Sequence, residues 1–194
     1  MNSHDCGKWL AQVAAAALLV LAPADLIAQS SPSGSGRFAI HPYLTLGSGS
    51  WQQSWTDPVN GETIKVRNGG GNGFGLRLSY FFVPRLGLWV GGDGAVAQEG
   101  GYWSAMGGAS FRWPVSERIG IQLRAGAGRL ESAPFATGAV DVELFLGRRF
   151  ALAVGGEYTL PIGNGSKDTG FGVVSVERDG GPKRLQLGVV WYPF

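Results

Sequence analysis

From residue 73 to residue 90 the chain alternates with almost no exception. Phe74, Leu76, Leu78, Tyr80 and Phe82 take every second place, with Gly75, Arg77, Ser79 and Phe81 between them. After Val83-Pro84-Arg85 the beat resumes with Leu86, Leu88 and Val90. A period of two puts successive side chains on opposite faces of a strand, and the short Pro-containing break reads as a hairpin turn. Two folds satisfy this pattern. In a soluble barrel the large apolar side chains would point inward; in a membrane barrel they point to lipid and the Arg-bearing face lines the interior.

The N-terminal segment sets the compartment. Lys8 precedes an apolar run from about Trp9 to Ala22, followed by small residues at Ala22-Pro23-Ala24 and Ala28. That is the layout of a secretory signal, and the run is too short for a membrane-spanning helix, which needs roughly 20 apolar residues. The expected organisation is a signal peptide over 1–28, with cleavage after Ala24 as the alternative, a flexible leader over 29–36, and a barrel over 37–194. Cleavage would remove Cys6, the only cysteine, and with it any thiol chemistry or disulfide framework. The remaining chain carries fifteen Lys and Arg against twelve Asp and Glu, or +3. That charge is too small and too scattered to suggest nucleic acid. Charged residues make up 15% of the whole chain, low for a soluble surface, where about 25% is usual.

Eight segments alternate, at about 37–50, 72–82, 86–97, 103–113, 118–130, 137–147, 150–160 and 183–194, and none has a convincing helical period. Val83-Pro84-Arg85, 114–117 and Gly147-Arg148-Arg149 are short connections, whereas 51–71, 98–102, 131–136 and 161–182 are longer or more polar. Short turns at one end and longer loops at the other is the layout of an outer-membrane barrel. Two long loops are expected to rise as hairpins. Asp57-Pro58-Val59-Asn60-Gly61 would turn between "SWQQSW" and "ETIKV", and Asp179-Gly180-Gly181-Pro182 between "FGVVSVER" and "KRLQLGVV". The expected fold is all-β, an eight-stranded antiparallel up-and-down transmembrane barrel; ten strands is the alternative if the loop segments join the wall.

The two faces decide between the folds. One carries Leu44, Leu46, Leu76, Leu78, Leu88, Val90, Ala109, Phe111, Ile119, Ile121, Leu123, Val140, Val142, Leu144, Leu152, Val154, Leu185, Leu187 and Val189, with no charge among them. The other carries His41, Tyr43, Thr45, Ser79, Ser110, Gln122, Thr159 and Gln186, many glycines, and eight charges: Arg77, Asp93, Arg112, Arg124, Asp141, Glu143, Glu157 and Arg184. An eight-stranded barrel has room for little more than its own side chains. Small and polar residues therefore belong inside, as a balanced set of four cations and four anions, and the bulky apolar ones in lipid. Arg124 and Asp141, on neighbouring segments and at about the same height from the short turns, are the expected pair.

Aromatic residues cluster toward both segment ends. Tyr80, Phe82, Phe111, Trp113, Phe150, Trp191 and Phe194 lie toward the short turns, and Trp51, Tyr102, Trp103, Phe135 and Tyr158 toward the long loops. Two such girdles mark the two membrane interfaces. With these features and the closing "LQLGVVWYPF", residues 37–194 resemble the small outer-membrane β-barrels of Gram-negative bacteria, the OmpA/OmpX/OmpW-like group. The resemblance implies a final strand ending in an aromatic residue that the barrel-assembly machinery reads. It also implies outer-membrane lipid and lipopolysaccharide as surroundings. Pro42 and Pro193 depart from the pattern, and a disturbed seam is expected where the first and last strands meet.

Motifs of chemistry are sparse. His41 is the one histidine after the signal, and its parity faces it inward and low, away from an outer-leaflet lipid. Residues 92–97 fit G-x-G-x-x-A but lack the helix that a dinucleotide site needs. Asp57, Asn60 and Glu62 read as turn chemistry and not as a calcium loop, and the triplet Asn164-Gly165-Ser166 carries no weight in a bacterial loop. Arg148 and Arg149 are expected at the aqueous rim. No catalytic residue, cofactor or metal is expected. The leading expectation is a non-enzymatic structural or surface-interaction barrel working through loop residues such as Trp51, Trp55, Lys65, Arg67, Lys167 and Arg178. The alternatives are a small channel or carrier for apolar solutes, which the resemblance to the OmpW-like barrels implies, and, behind it, an outer-leaflet lipid enzyme.

Overall fold

The computed structural model describes residues 38–193 apart from 49–50, 69–70, 98–99, 132, 169 and 171. The expected signal peptide and leader, and Phe194, lie outside the described residues. Among the described residues twelve strands follow one another: β1 (Phe38–Ser48), β2 (Trp51–Thr56), β3 (Thr63–Asn68), β4 (Asn72–Phe81), β5 (Leu86–Ala97), β6 (Gly100–Pro114), β7 (Ile119–Leu130), β8 (Ala133–Phe145), β9 (Phe150–Pro161), β10 (Gly165–Asp168), β11 (Val173–Asp179) and β12 (Lys183–Trp191). Eight of them close a barrel in the order β1-β12-β9-β8-β7-β6-β5-β4, with β4 returning to β1, and every pair is antiparallel. The wall has the expected eight strands. Closure matters physically, because a strand edge left open in lipid would strand backbone N–H and C=O groups without partners.

Alternation sets the faces. On β8 and β9 buried and exposed residues alternate almost throughout. Leu44, Leu76, Leu88, Val90, Val140, Val142, Leu152, Val154, Leu185 and Leu187 are exposed on the outside, while all eight charged residues expected inside are buried. This exterior is stable in hydrocarbon and not in water. The barrel is a transmembrane one.

The structure differs from the sequence reading in the length of two connections and in the second loop hairpin. The connections expected at 98–102 and 131–136 are shorter, because the strands run on: β5–β6 pairing continues to Ala97 opposite Gly100, and β7–β8 pairing to Leu130 opposite Ala133. Glu131 makes the second turn tight by adopting φ 54°, a conformation open to few side chains. The first loop hairpin forms as β2–β3, around Gly61 at φ 72°. The second does not form as expected. β11 does not pair with β12, whose two edges are already taken by β1 and β9; it pairs with β10 and β2, and β10-β11-β2-β3 make a separate four-stranded sheet. Finally, the β1–β12 ladder is interrupted between Ile40↔Trp191 and Tyr43↔Gly188 without a change of register. The gap falls where Pro42 has no N–H to donate; Pro193 lies just beyond β12.

Leu123 is outward-facing on β7, half-buried between its cross-strand partners Phe111 and Val140. Leu123→Arg places a guanidinium near the middle of the lipid span and should reduce stability in lipid by about 2–4 kcal/mol, read from urea unfolding of the folded band in vesicles. A variant as stable as the parent would put Leu123 off the lipid face.

Candidate functional site in the barrel interior

The interior is filled in layers. At the short-turn end Ala39, Phe81, Phe145, Ala151, Ala153, Val190 and Tyr192 form one apolar cluster. Trp89, Ala95, Tyr102, Met106, Leu130 and Phe135 form another, which runs from Trp89, early in β5, up to the loop end. Tyr102 and Phe135, read from sequence as part of the loop-side girdle, belong to this interior cluster. Trp103, next to Tyr102, is exposed on the outside, so strand parity turns Tyr102 inward.

Charged residues lie above the first cluster and alongside the second. Arg124 is bidentate on Asp141, its Nε donating to Oδ2 at 2.7 Å and its Nη2 to Oδ1 at 3.1 Å. Arg77 Nη1 donates to the same Oδ2 at 3.1 Å. Gln186 Oε1 accepts from Arg77 Nη2 and, at 2.8 Å, from Arg124 Nη2, and its amide donates to Glu157 at 3.3 Å. Arg124 Nη1 stands 3.5 Å from Glu157 Oε2. Arg184 Nη1 reaches Glu157 Oε1 at 3.2 Å and Asp93 Oδ2 at 2.6 Å, and Ser104 Oγ donates to Asp93 Oδ1 at 2.6 Å. Six of the eight charged residues thus form one continuous network. Arg112 and Glu143 stand apart from it, lower down: Arg112 Nε is 3.5 Å from Glu143 Oε2, and Tyr192 bridges them, Arg112 Nη2 donating to the phenol oxygen at 2.7 Å and the phenol to Glu143 Oε2 at 2.9 Å. The Arg112 guanidinium also stacks 4.0 Å from the Phe81 ring centroid.

The register explains how Arg124 and Asp141 meet. They are not opposite each other, as equal height would require. Arg124 lies opposite Ala139 and Asp141 opposite Gln122, so the pair is diagonal, and the long arginine side chain covers the extra step. Glycine makes the room. A Cβ at Gly155 would collide with Asp141 Oδ1, and one at Gly75 with the ring of Tyr43. Tyr43 in turn packs 4.9 Å from the Arg77 guanidinium, and Trp89 lies under both Arg77 and Arg124. Trp89 and Tyr192 were missed from sequence, although parity places each on the inward face; Gln186 was placed inward, but not as a member of the network.

His41 is buried against this network. Its Nδ1 is 3.0 Å from Arg77 Nη1, and since a guanidinium has no acceptor, Nδ1 accepts and Nε2 carries the hydrogen. The remaining sequence candidates are dispersed. Residues 92–97 run along β5. In the β2–β3 turn, Asp57 Oδ1 accepts from Val59 N and Asn60 Oδ1 from Glu62 N, both at 2.9 Å. Trp55, read as a partner-facing residue, is buried on the same face of the upper sheet as Val176. Gln53 on that face donates to Glu131 at the β7–β8 turn. On the barrel exterior Tyr80, Phe82 and Phe150, with Trp191, are exposed at the short-turn end, Trp103 and Tyr158 at the other, and Phe111 and Trp113 are half-buried. The side chains of Trp51, Arg67, Lys167 and Arg178 fall outside the described residues.

No protein-family model matches the chain, and no curated protein matches it. Solved structures do. The outer membrane protein OprG from Pseudomonas aeruginosa is 12% identical, with 81% of this chain and 96% of that one covered, at a TM-score of 0.54. The N-terminal β-barrel domain of Pseudomonas aeruginosa OprF is 10% identical over 80% of this chain and 98% of that one, at 0.47. A de novo designed transmembrane β-barrel is 13% identical over 79% and 93%, at 0.46. At such identities the likeness to OprG is one of fold. The chain has the fold of the small outer-membrane barrels, and its apolar exterior makes it an integral outer-membrane protein.

Removing either partner of the Arg124–Asp141 pair strands buried charge, so Arg124→Ala and Asp141→Ala should each cost about 3–5 kcal/mol. The double variant should lose less than the sum, by about 0.5–3 kcal/mol of coupling, measured by unfolding in lipid. Strictly additive losses would remove the pair as an energetic unit. Gly155→Ala, which adds only a methyl group beside Asp141, should cost about 1–3 kcal/mol through overpacking, read in the same assay.

Proposed function

We propose that this protein is a non-enzymatic outer-membrane barrel with a sealed lumen, and that its work is done by the four-stranded sheet beyond the membrane. The observation that carries this reading is the burial of the central charges. The side chains of Arg124 and Glu157 are 0% exposed, and those of Arg77, Asp93, Asp141 and Arg184 are 1% exposed. A water-filled passage through the barrel would wet the groups lining it. The apolar cluster at the short-turn end, with Tyr102, Leu130 and Phe135 toward the loops, also supports closure, since ions do not cross hydrocarbon-like layers.

The loop sheet supports the second half of the proposal. One face buries Trp55 and Val176. The other presents Glu177, Ser54 and Lys65 in a line across β11, β2 and β3, with Thr56 opposite Thr63 and Ser166 opposite Ser175. This is a hydrogen-bonding, mixed-charge face suited to a hydrophilic partner, and lipopolysaccharide phosphates and sugars are the nearest such groups to an outer-leaflet loop. We also expect assembly through the C-terminal strand by the barrel-assembly machinery. The burial of His41 in the lumen weighs against its acting on lipid.

Planar-bilayer recording tests the reading. The purified protein should show no steady conductance, whereas a double variant Arg77→Ala with Arg124→Ala, which removes two guanidinium groups from the centre, should conduct or fail to fold. Steady large conductance from the parent would replace the sealed barrel with a channel, and hydrolysis of labelled lipid A would replace it with an enzyme.

A further inference from the structure

The charge of the molecule is unevenly distributed between its two ends. The interior is balanced, four cations against four anions. The two long loop regions, 51–71 and 161–182, hold Lys65, Arg67, Lys167 and Arg178 against Asp57, Glu62, Asp168, Glu177 and Asp179, so they are close to neutral. The three short turns hold Arg85, Arg118, Arg148 and Arg149 against a single acid, Glu117. Arg118, Arg148 and Arg149 are exposed and Arg85 is half-buried.

Each of these turns carries an aliphatic residue shortly before its arginine. Val83 precedes Arg85, Val115 precedes Arg118, and Leu146 precedes Arg148; the three apolar residues are 44%, 54% and 62% exposed. Each turn also adjoins an outward aromatic or large aliphatic residue of the wall: Phe82 and Leu86, Trp113 and Ile119, Phe150. An arginine on a turn that also exposes an apolar side chain, one step beyond an aromatic girdle, sits at the depth of lipid headgroups. The turns join β4 to β5, β6 to β7 and β8 to β9, so they are spread round three-quarters of the rim; the remaining quarter is the seam of β1 and β12. A single compact ligand or protein patch would call for cations gathered on one side. Cations spread round the circumference fit the ring of lipids that surrounds the barrel.

We propose that the short-turn rim is a cationic collar that binds anionic phospholipid headgroups of the periplasmic leaflet. The collar holds the barrel at a set depth and enriches acidic lipid around it. This surface lies at the opposite end from the loop sheet and does not depend on what that sheet binds.

The test uses the whole mature protein in vesicles of phosphatidylcholine mixed with phosphatidylglycerol. Association of spin-labelled phosphatidylglycerol is compared with that of spin-labelled phosphatidylcholine. The parent should prefer phosphatidylglycerol several-fold, and the preference should shrink as salt is raised, because such attraction falls within a Debye length. The quadruple variant Arg85→Gln, Arg118→Gln, Arg148→Gln, Arg149→Gln should lose it, and Lys183→Gln, at the loop end of the wall, should keep it. Heat-modifiable gel migration reports whether each variant is folded. If the quadruple variant does not fold, the pair Arg148→Gln with Arg149→Gln should lose part of the preference. A parent with no preference, or a folded quadruple variant that retains it, overturns the proposal. Retention of the parent on isolated peptidoglycan without any lipid preference likewise overturns it, and gives the collar a different partner.

Discussion

Asp141 of β8 receives hydrogen bonds from Arg124 on the neighbouring strand and from Arg77 on β4, which stands directly across the barrel. That cross-lumen strut is the interaction on which the rest of the interior depends. Backbone ladders tie each strand only to its two neighbours, so a barrel wall alone resists flattening weakly. Arg77 to Asp141, Arg184 on β12 to Asp93 on β5, and Arg112 on β6 to Tyr192 just after β12 all join distant sides of the wall. Three struts at different positions fix the cross-section of the cylinder.

Charge in the middle of a membrane protein is stable only when paired and hydrogen-bonded. Here one apolar cluster at the short-turn end and a second alongside the charges raise both sides of that balance. A low-dielectric surrounding strengthens each ion pair and makes any unpaired member costly. Glycine at 75 and 155 lets Tyr43 and Asp141 approach the facing strand closely. The numerous glycines of the inward face therefore serve packing as well as the turns: a lumen this narrow holds tyrosine, tryptophan and arginine only if other positions carry no side chain.

The same architecture separates the two ends of the molecule. At one end the chain leaves the membrane as extended strands and forms a second, polar sheet. At the other it turns within a few residues, each turn combining arginine with an exposed aliphatic side chain. Long hydrated strands and short amphipathic turns suit different surroundings, water on one side and a headgroup layer on the other.

Period-two alternation determined the eight wall strands, and charge and bulk on the alternate positions determined which face meets lipid. The hydrophobic effect acts on each residue separately, so parity alone is enough to read it. The inward charged residues were legible for the same reason. What only the tertiary structure decided was every relation between residues far apart in the chain. The diagonal register placing Arg124 against Asp141 depends on barrel shear. The reach of Arg77 across the diameter depends on closure, and the division into a six-residue network and an Arg112–Glu143 pair depends on where Tyr192 falls. The partner of β11 was likewise not local: "FGVVSVER" reads as one arm of a hairpin with β12. Closure occupies both edges of β12, so β11 pairs with β10 and β2 and builds the outer sheet.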